Sequence, residues 1–554
     1  MPVYHVRAAL NSAIFPFYTQ QAGRTIIVPE FDENWDRNNA ANTTPDKGVP
    51  QVYYMENVLP IAGGFQSVGY DLVVKPFRQI HPPPGTPAAT NFDQAFILLS
   101  TDGSKVIFVP AQGSNYVYDA EIGTWASISP INSLSVNSNT IVTTATINGQ
   151  TYFCYANYGT YIYNTSTKLM VKQTLISLTD AAVIGITVSN GYMIAWTKNT
   201  VAWSSLVNPL DFTPSIQTGA GGGAIQQAKG NINFCLPING GFIMYCEKNT
   251  VAASYSNNVN YPFVIKEIAD SGGCYDPTQV AWQENLDTHY AMTTAGLQGI
   301  NLSSASPVMP EVDDFLAAQI YEEFDANTNT LTQSYLQSQL YVKLTGVGDR
   351  FIIISYGIIK GSYQYCIVFD LVLGRYGKLA FDHVGTFEFF TPNLYNGVTW
   401  QKLINNGIKI RQLFTTSYED LINGSASPEA QQKQTFALLT NTGGVYTVDF
   451  ALDNINSQGV FILGKYQFKR NSYIVHQRTD VESINPAAVF SFQLLPSLDG
   501  KTLLPAVDTV LLNTAGTLTN TYAKRFTGLN ISFLIKGSFE LTSLVTQFTL
   551  GGFR

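Results

Sequence analysis

The sequence predicts an all-β protein: a β-propeller of about six or seven irregular blades, with an extended N-terminal arm region and a C-terminal β-sandwich-like region. Three observations carry this. Residues 191–203 read G-Y-M-I-A-W-T-K-N-T-V-A-W and residues 241–253 read G-F-I-M-Y-C-E-K-N-T-V-A-A, fifty positions further on. Each begins at glycine, runs through an apolar, aromatic strand, turns at Lys-Asn and resumes as Thr-Val-Ala. Hairpin repeats of roughly 40–50 residues are the mark of propeller blades, in which each unit buries its faces only against its neighbours. The second observation extends the spacing upstream. Asp102-Gly103 and Asn148-Gly149 are tight-turn dipeptides that favour positive φ, and the intervals from Gly103 to Gly149, Gly191 and Gly241 are 46, 42 and 50 residues. The third is an echo between Y-V-Y-D-A-E-I-G-T-W (116–125) and I-V-F-D-L-V-L-G-R-Y (367–376). Both place an apolar residue and an aromatic before Asp, then three residues, Gly, one residue and an aromatic.

The elements follow in order. Residues 1–90 form an N-terminal arm and platform region. Within it, 47–65 reads as an extended apolar arm ending in a Gly-rich turn, and H-P-P-P-G-T-P (81–87) is a stiff connector. The propeller spans 91–455. Strands are expected at 106–109, 116–119, 152–155 and 161–163, and hairpin-like units at 289–302, 351–379 and 434–450. G-A-G-G-G-A (219–224) resembles a phosphate cradle but lacks the Gly-Lys-Ser/Thr ending, and reads better as a loop between blades. Residues 310–324 break the β pattern. Val312, Phe315, Leu316, Ile320 and Phe324 share one helical face, Pro310 suits a first turn, and Glu311, Asp313 and Asp314 suit its positive end. Such a helix either docks a partner or plugs one end of its own propeller. Residues 456–554 alternate, with strands near 465–477, 488–495 and 509–512. Ile531, Phe533 and Ile535, then Phe539 and Leu541 beyond Gly537, point one way.

Composition narrows the function. Charged residues are 13% of the 554-residue chain, about half the roughly 25% usual for soluble domains. With 31 Tyr and 33 Phe, that balance suits surface buried between subunits, although an uncharged extracellular-type surface has the same composition. The net charge is −8, and no basic run exceeds the pairs Lys469-Arg470 and Lys524-Arg525. The clustered basic footprint that grips nucleic acid is missing. The opening M-P-V-Y-H-V-R-A-A-L holds Arg7 mid-segment, which argues against a secretory leader, and no apolar run approaches the ~20 residues that span a bilayer. Cys154, Cys235, Cys246, Cys274 and Cys366 show no C-x-x-C spacing and read as buried free thiols, with a Cys235–Cys246 disulfide as the lesser alternative. His5, His81, His289, His383 and His476 are scattered. Propeller glycosidases draw carboxylates from separate blades, but nothing selects among Asp93, Asp119, Asp211, Asp270 and Asp276. The sequence thus names no catalytic, cofactor-binding or metal residue.

Three passages resemble tail nozzle proteins (tail tip tubular proteins) of short-tailed, podovirus-type bacteriophages. G-V-P-Q-V-Y-Y-M-E-N-V-L-P (48–60) is similar to the opening segment of that family. W-S-S-L-V-N-P-L-D-F-T-P-S with T-G-A-G-G-G (203–223) resembles its Trp-Ser, Asn-Pro, Asp-Phe passage. R-F-T-G-L-N-I-S-F-L-I-K-G-S-F-E-L (525–541) with G-G-F-R (551–554) resembles its final strands. The resemblance implies a structural virion protein, not an enzyme, without cofactor. It implies a homo-oligomer, a hexameric ring below a tail adaptor, carrying tail fibres or other appendages. Double-stranded DNA would pass through its lumen without specific binding. The expected location is the virion tail tip, assembled in the host cytoplasm. Acidic balance fits a conduit that does not hold phosphate. Two other readings compete: a carbohydrate-binding or carbohydrate-cleaving propeller in host-receptor recognition, and a cellular scaffold propeller.

Overall fold

The computed structural model describes 3–9, 26–27, 52–74 except 62, and the strands within 96–128. It also describes 142–390 apart from 165–168, 259, 284–285, 318–319, 326–329, 336–339, 349 and 360; 434–449 apart from 442–443; and, from 458 to 553, all but 468–471, 484–488, 498–508, 514–518, 523–525 and 529. The connector at 81–87, His81, Asp93 and the two basic pairs lie outside the described residues.

The protein is all-β, and among the described residues the repeat resolves as seven four-stranded antiparallel blades. Blade 1 comprises Phe96–Leu99, Lys105–Ala111, Ser114–Asp119 and Thr124–Ile128; blade 2, Val142–Ile147, Gln150–Tyr155, Gly159–Asn164 and Leu169–Gln173. Blade 3 comprises Gly185–Ser189, Tyr192–Trp196, Thr200–Trp203 and Gly221–Ala224; blade 4, Ile232–Ile238, Gly241–Cys246, Thr250–Tyr255 and Phe263–Glu267. Blade 5 comprises Val280–Gln283, Thr288–Thr293, Gly296–Ile300 and Ala305–Pro307; blade 6, Tyr341–Val347, Phe351–Gly357, Tyr363–Asp370 and Arg375–His383. Blade 7 takes Gly385–Phe390, Gln434–Leu439 and Val445–Asp449, and its outermost strand is Gly69–Val74 from the other end of the chain. First strands of successive blades pack side by side, as at 142–147 on 185–189 and 280–283 on 341–347.

The spacing has a structural cause. Gly149, Gly191 and Gly241 all fall at the first hairpin of blades 2 to 4, while Gly103 lies outside the described residues. Asn148-Gly149 and Asn190-Gly191 have positive φ at both positions, the backbone that matches strand twist in two-residue hairpins. Both Lys-Asn turns are the second hairpin, in blades 3 and 4. Asn249 is buried there, its Oδ1 accepting from Lys229 N at 2.9 Å and its Nδ2 donating to Gln227 O at 3.0 Å, which ties down the connection between the two blades. The 116–125 and 367–376 echo marks equivalent pairings of third and fourth strands, Ser114–Asp119 with Thr124–Ile128 in blade 1 and Tyr363–Asp370 with Arg375–His383 in blade 6. In blade 6, Asp370 Oδ1 accepts from Val372 N and Leu373 N at 3.0 and 3.1 Å, and Gly374 takes φ 63°.

Aromatics fill the space between blades. Tyr192, Trp196 and Phe242 are fully buried between blades 3 and 4, and Phe234 and Tyr245 on the other face of blade 4, where Tyr245 meets His289 of blade 5, each contributing roughly 2–3 kcal/mol by removal from water.

Three sequence expectations change, the third in the C-terminal sheets. The helix read over 310–324 ends early: α1 is Pro310–Ala317, and Ile320–Asp325 is a strand paired with Thr330–Tyr335. Tyr321 and Phe324 are β-favouring residues, and the pairing with 330–335 outweighs the shared helical face. Val312, Phe315 and Leu316 do face inward, wedged between blades 5 and 6, with Phe315 edge-on to Tyr356 at 5.6 Å. That face is spent on the protein's own core. The Gly-rich run is not an interblade loop, since Gly221–Ala224 forms the outer strand of blade 3.

Residues 52–74 are short strands that stitch the molecule together. Val52–Glu56 pairs with Gly459–Gln467, and Val58–Ile61 meets Arg375–His383 of blade 6. After the turn at Gly63, Gly64–Ser67 pairs with Glu540–Phe553, and Gly69–Val74 completes blade 7. The blade 6 sheet therefore continues into the C-terminal region as one sheet of eleven strands. A second sheet, of Gly459–Gln467, Val489–Ser497, Thr509–Asn513 and Asn530–Ser538, with Ile26–Ile27 and Val52–Glu56, packs on it as a sandwich. Phe461, Phe490, Phe492 and Phe533 face Phe65, Phe539 and His476. Alternation there is weaker than expected, because Ser532 and Leu534 are buried as fully as Phe533 and Ile535. Leu534 packs with Tyr54, Val460 and Ile462, and Phe324 covers that face.

Candidate functional site

The junction of blade 6 with the N-terminal strands holds two buried cations on one strand. The Lys378 ammonium lies 4.5 Å from the Tyr54 ring centre and 4.6 Å from that of Tyr365. Arg375 donates to Gly64 O at 3.1 Å and to Ile61 O, with its guanidinium 5.6 Å from the Phe65 ring centre. Burial holds this guanidinium below its ordinary value, against the pull of Asp370. Asn57 works beside them at φ 53°, its Oδ1 accepting from Ala380 N at 2.9 Å and Tyr70 OH at 2.6 Å. These groups fasten the 52–74 segment to the propeller.

Behind them, blade 6 buries Ser355, Cys366 and His383 together. His383 Nδ1 donates to Phe381 O at 2.6 Å, leaving Nε2 as an acceptor. Ser355 Oγ is 2.8 Å from Nε2 and Cys366 Sγ is 3.3 Å from it. A thiol beside an imidazole suggests a nucleophile pair, but burial pushes the thiol up to about 12 and the imidazole down to about 4. Both partners are neutral at pH 7, so the cluster is a satisfied polar core and not an activated thiolate. His289 is built alike. It takes the Tyr245 hydroxyl at 2.9 Å on Nδ1, meets Pro237 O at 2.8 Å with Nε2, and is lowered by burial to about 4. The five cysteines are buried and unpaired as disulfides.

The turn carboxylates are dispersed. Asp211 Oδ1 accepts from Thr213 N at 2.9 Å, a bond that lowers its carboxyl. Asp270 sits in a turn at φ 57°. Among the described residues, no three His, Cys, Asp or Glu side chains converge as a metal site.

Asp276 lines a cleft. This cleft, of about 440 Å³, opens between blades 5 and 6, walled by 273–279, 292–294 and 340–342, with Tyr363 at its back. All these segments lie at one end of the blades. The connection into a first strand and the turn between second and third strands share an end in any four-stranded meander. Asp276 Oδ1 accepts from Thr278 N at 2.9 Å and Thr278 Oγ1 at 2.7 Å, and Thr294 Oγ1 accepts from Gly273 N at 2.9 Å. Cys274 Sγ lies 3.8 Å from Gln279 Oε1. Tyr363 stands 5.7 Å, ring to ring, from His383. Sequence reasoning flagged Asp276 only as a turn residue, and the cleft itself needs two blades brought side by side.

A second surface feature is the long connection between the third and fourth strands of blade 3. Val207 is 85% exposed and Ile216 75%. The loop holding them is tightly built: Ser205 N donates to Asp211 O at 2.7 Å, Phe212 N to Ile176 O at 3.2 Å, and Ser215 N to Ala220 O at 3.0 Å.

No family model matches the chain, and no curated protein matches it. Solved structures share a loose likeness. The extracellular domain of a one component system from B. thetaiotaomicron has TM-score 0.39 and 10% identity over 86% of this chain and 59% of that one. The extracellular domain of a hybrid two component system from B. thetaiotaomicron gives 0.35 and 12%, over 78% of this chain and 47% of that one. A chain of the mitotic checkpoint complex gives 0.32 and 10%, over 67% and 94%. This chain thus spans under two thirds of both bacterial domains, and no property of these proteins passes to it.

Proposed function

We propose that the protein is a structural subunit of the distal nozzle of a short phage tail, a ring through which double-stranded DNA is retained and then ejected. The observation that carries this reading is the eleven-stranded sheet running from blade 6 through Val58–Ile61 and Gly64–Ser67 into Glu540–Phe553. A conduit wall must keep its shape against internal load. Two domains joined by a linker flex, whereas a shared sheet with backbone hydrogen bonds across the junction does not.

The passages that resemble nozzle proteins support the same role. Residues 52–60 belong to the stitching strands, 530–541 to the sandwich, and 203–223 to the connection that exposes Val207 and Ile216. That connection offers apolar, rigid surface for contact with another subunit or an appendage. The net charge of −8 is compatible with a conduit that does not hold phosphate. Among the described residues no helix is long and apolar enough to cross a membrane.

Electron microscopy of the purified protein, alone and with the tail adaptor, tests the proposal. The expected images are sixfold rings with a central pore that admits duplex DNA. Separate monomers under both conditions would sink it.

A further inference from the structure

We infer that the cleft between blades 5 and 6 is a saccharide-binding site. Its rim carries two solvent-facing aromatic side chains from different blades: Tyr275, 59% exposed, and Tyr341, 39% exposed. Large aromatic faces left in water beside a concave surface are costly unless something covers them. Between them the wall is mixed: Asp276, Thr278, Gln279 and Thr294 supply polar groups beside apolar Met292, Leu340 and Val342.

This pairing of groups selects a chemical class. A pyranose ring has a C–H face that packs flat on an aromatic ring, and an edge of hydroxyls that needs donors and acceptors. Tyrosine provides an apolar face with a polar tip on few rotatable bonds. The carboxylate, hydroxyl and amide groups serve the edge. A purely apolar ligand would strand these polar groups without water. The volume of about 440 Å³ falls within the roughly 300–1,000 Å³ of small-molecule sites.

The cleft is also stiff before any ligand arrives. Asp276 is held by Thr278, and the 273–279 connection is fixed to the 292–295 turn by Thr294 N to Gly273 O at 2.8 Å and Gly273 N to Thr294 Oγ1 at 2.9 Å. On the blade 6 side, Tyr341 is registered opposite Gly357 in the ladder, so its backbone is set by the sheet. Fixed walls reduce the ordering cost of binding. Weak but specific recognition follows, with no bond made or broken in the sugar.

Saturation-transfer NMR on the full chain tests this with maltotetraose, cellotetraose and chitotetraose, and with a panel of short peptides as competing occupants. At least one tetrasaccharide should receive saturation, strongest at its ring C–H protons. Tyr275→Ala and Tyr341→Ala should each weaken that binding roughly five- to tenfold, the loss of one stacked ring. Tyr341→Phe should retain most of it, and Val264→Thr on blade 4 should change nothing. Both tyrosines are exposed, and an unchanged melting curve confirms that the variants fold. Absence of transfer to all three sugars, equal transfer in the double alanine variant, or binding confined to peptides would each overturn the assignment.

Discussion

His289 and His383 make stability depend on pH in a direction fixed by their surroundings. Both are buried, both are locked by backbone carbonyls into one tautomer, and burial lowers both from 6.5 to about 4. Between those values the unfolded chain binds a proton at each imidazole and the folded chain does not. Stability is therefore full above pH 6.5 and lost as pH falls toward 4, by on the order of 3 kcal/mol per histidine. Asp313 and Glu540 work the other way. Burial raises their carboxyls, so acidification relieves a penalty there and offsets part of the loss. Urea denaturation at pH 7.5, 6 and 4.5 should show the midpoint falling stepwise. In the variant His289→Gln/His383→Gln the slope below pH 6.5 should flatten, even if the variant starts less stable. An equally steep loss in that variant would place the acid sensitivity elsewhere.

At the scale of elements, the repeat was legible because hairpin turns obey local rules. Asn-Gly before an alternating run and Asp with Gly four positions on are written in the chain itself, and each fell between the same pair of strands in different blades. Blade 7 was only partly legible, since its fourth strand comes from residues 69–74 and no local pattern announces a partner hundreds of residues away. The helix overran for a related reason: Val312, Phe315 and Leu316 do share a helical face, but tertiary pairing of 320–325 with 330–335 decided the second half. The cleft and the Ser355, Cys366 and His383 cluster were illegible, being products of packing between strands. Gly241, which opens the second twin segment, shows how one residue carries such packing. A Cβ there would sit 2.1 Å from Ala253 O, whereas at Gly223 it would meet nothing within 4 Å. Gly241→Ala should cost roughly 2–4 kcal/mol as backbone is forced apart, and Gly223→Ala should stay within about 0.5 kcal/mol. Chemical denaturation of the pair measures the difference; equal midpoints would mean that blade 4 yields where the geometry says it is tight.

At the scale of the whole molecule, the shared sheet ties the unfolding of the propeller to that of the C-terminal sandwich. Residues 52–74 touch blade 6, blade 7 and both C-terminal sheets, so opening either body breaks strands of the other. Elements joined in this way behave as one cooperative unit, while bodies on a linker melt apart. A single calorimetric transition is expected for the chain. Lys378→Ala is the lever, because it removes the ammonium between Tyr54 and Tyr365 and leaves a void under the stitching strands. That change should cost roughly 2–4 kcal/mol. Hydrogen exchange in the variant should rise first at 52–67 and then at 459–467 and 540–553, the strands that pair with them. If the loss instead stays within blade 6 and the wild type melts in two steps, the sheet is continuous in geometry only. The stiffness on which the conduit reading depends would then have to come from contacts between subunits.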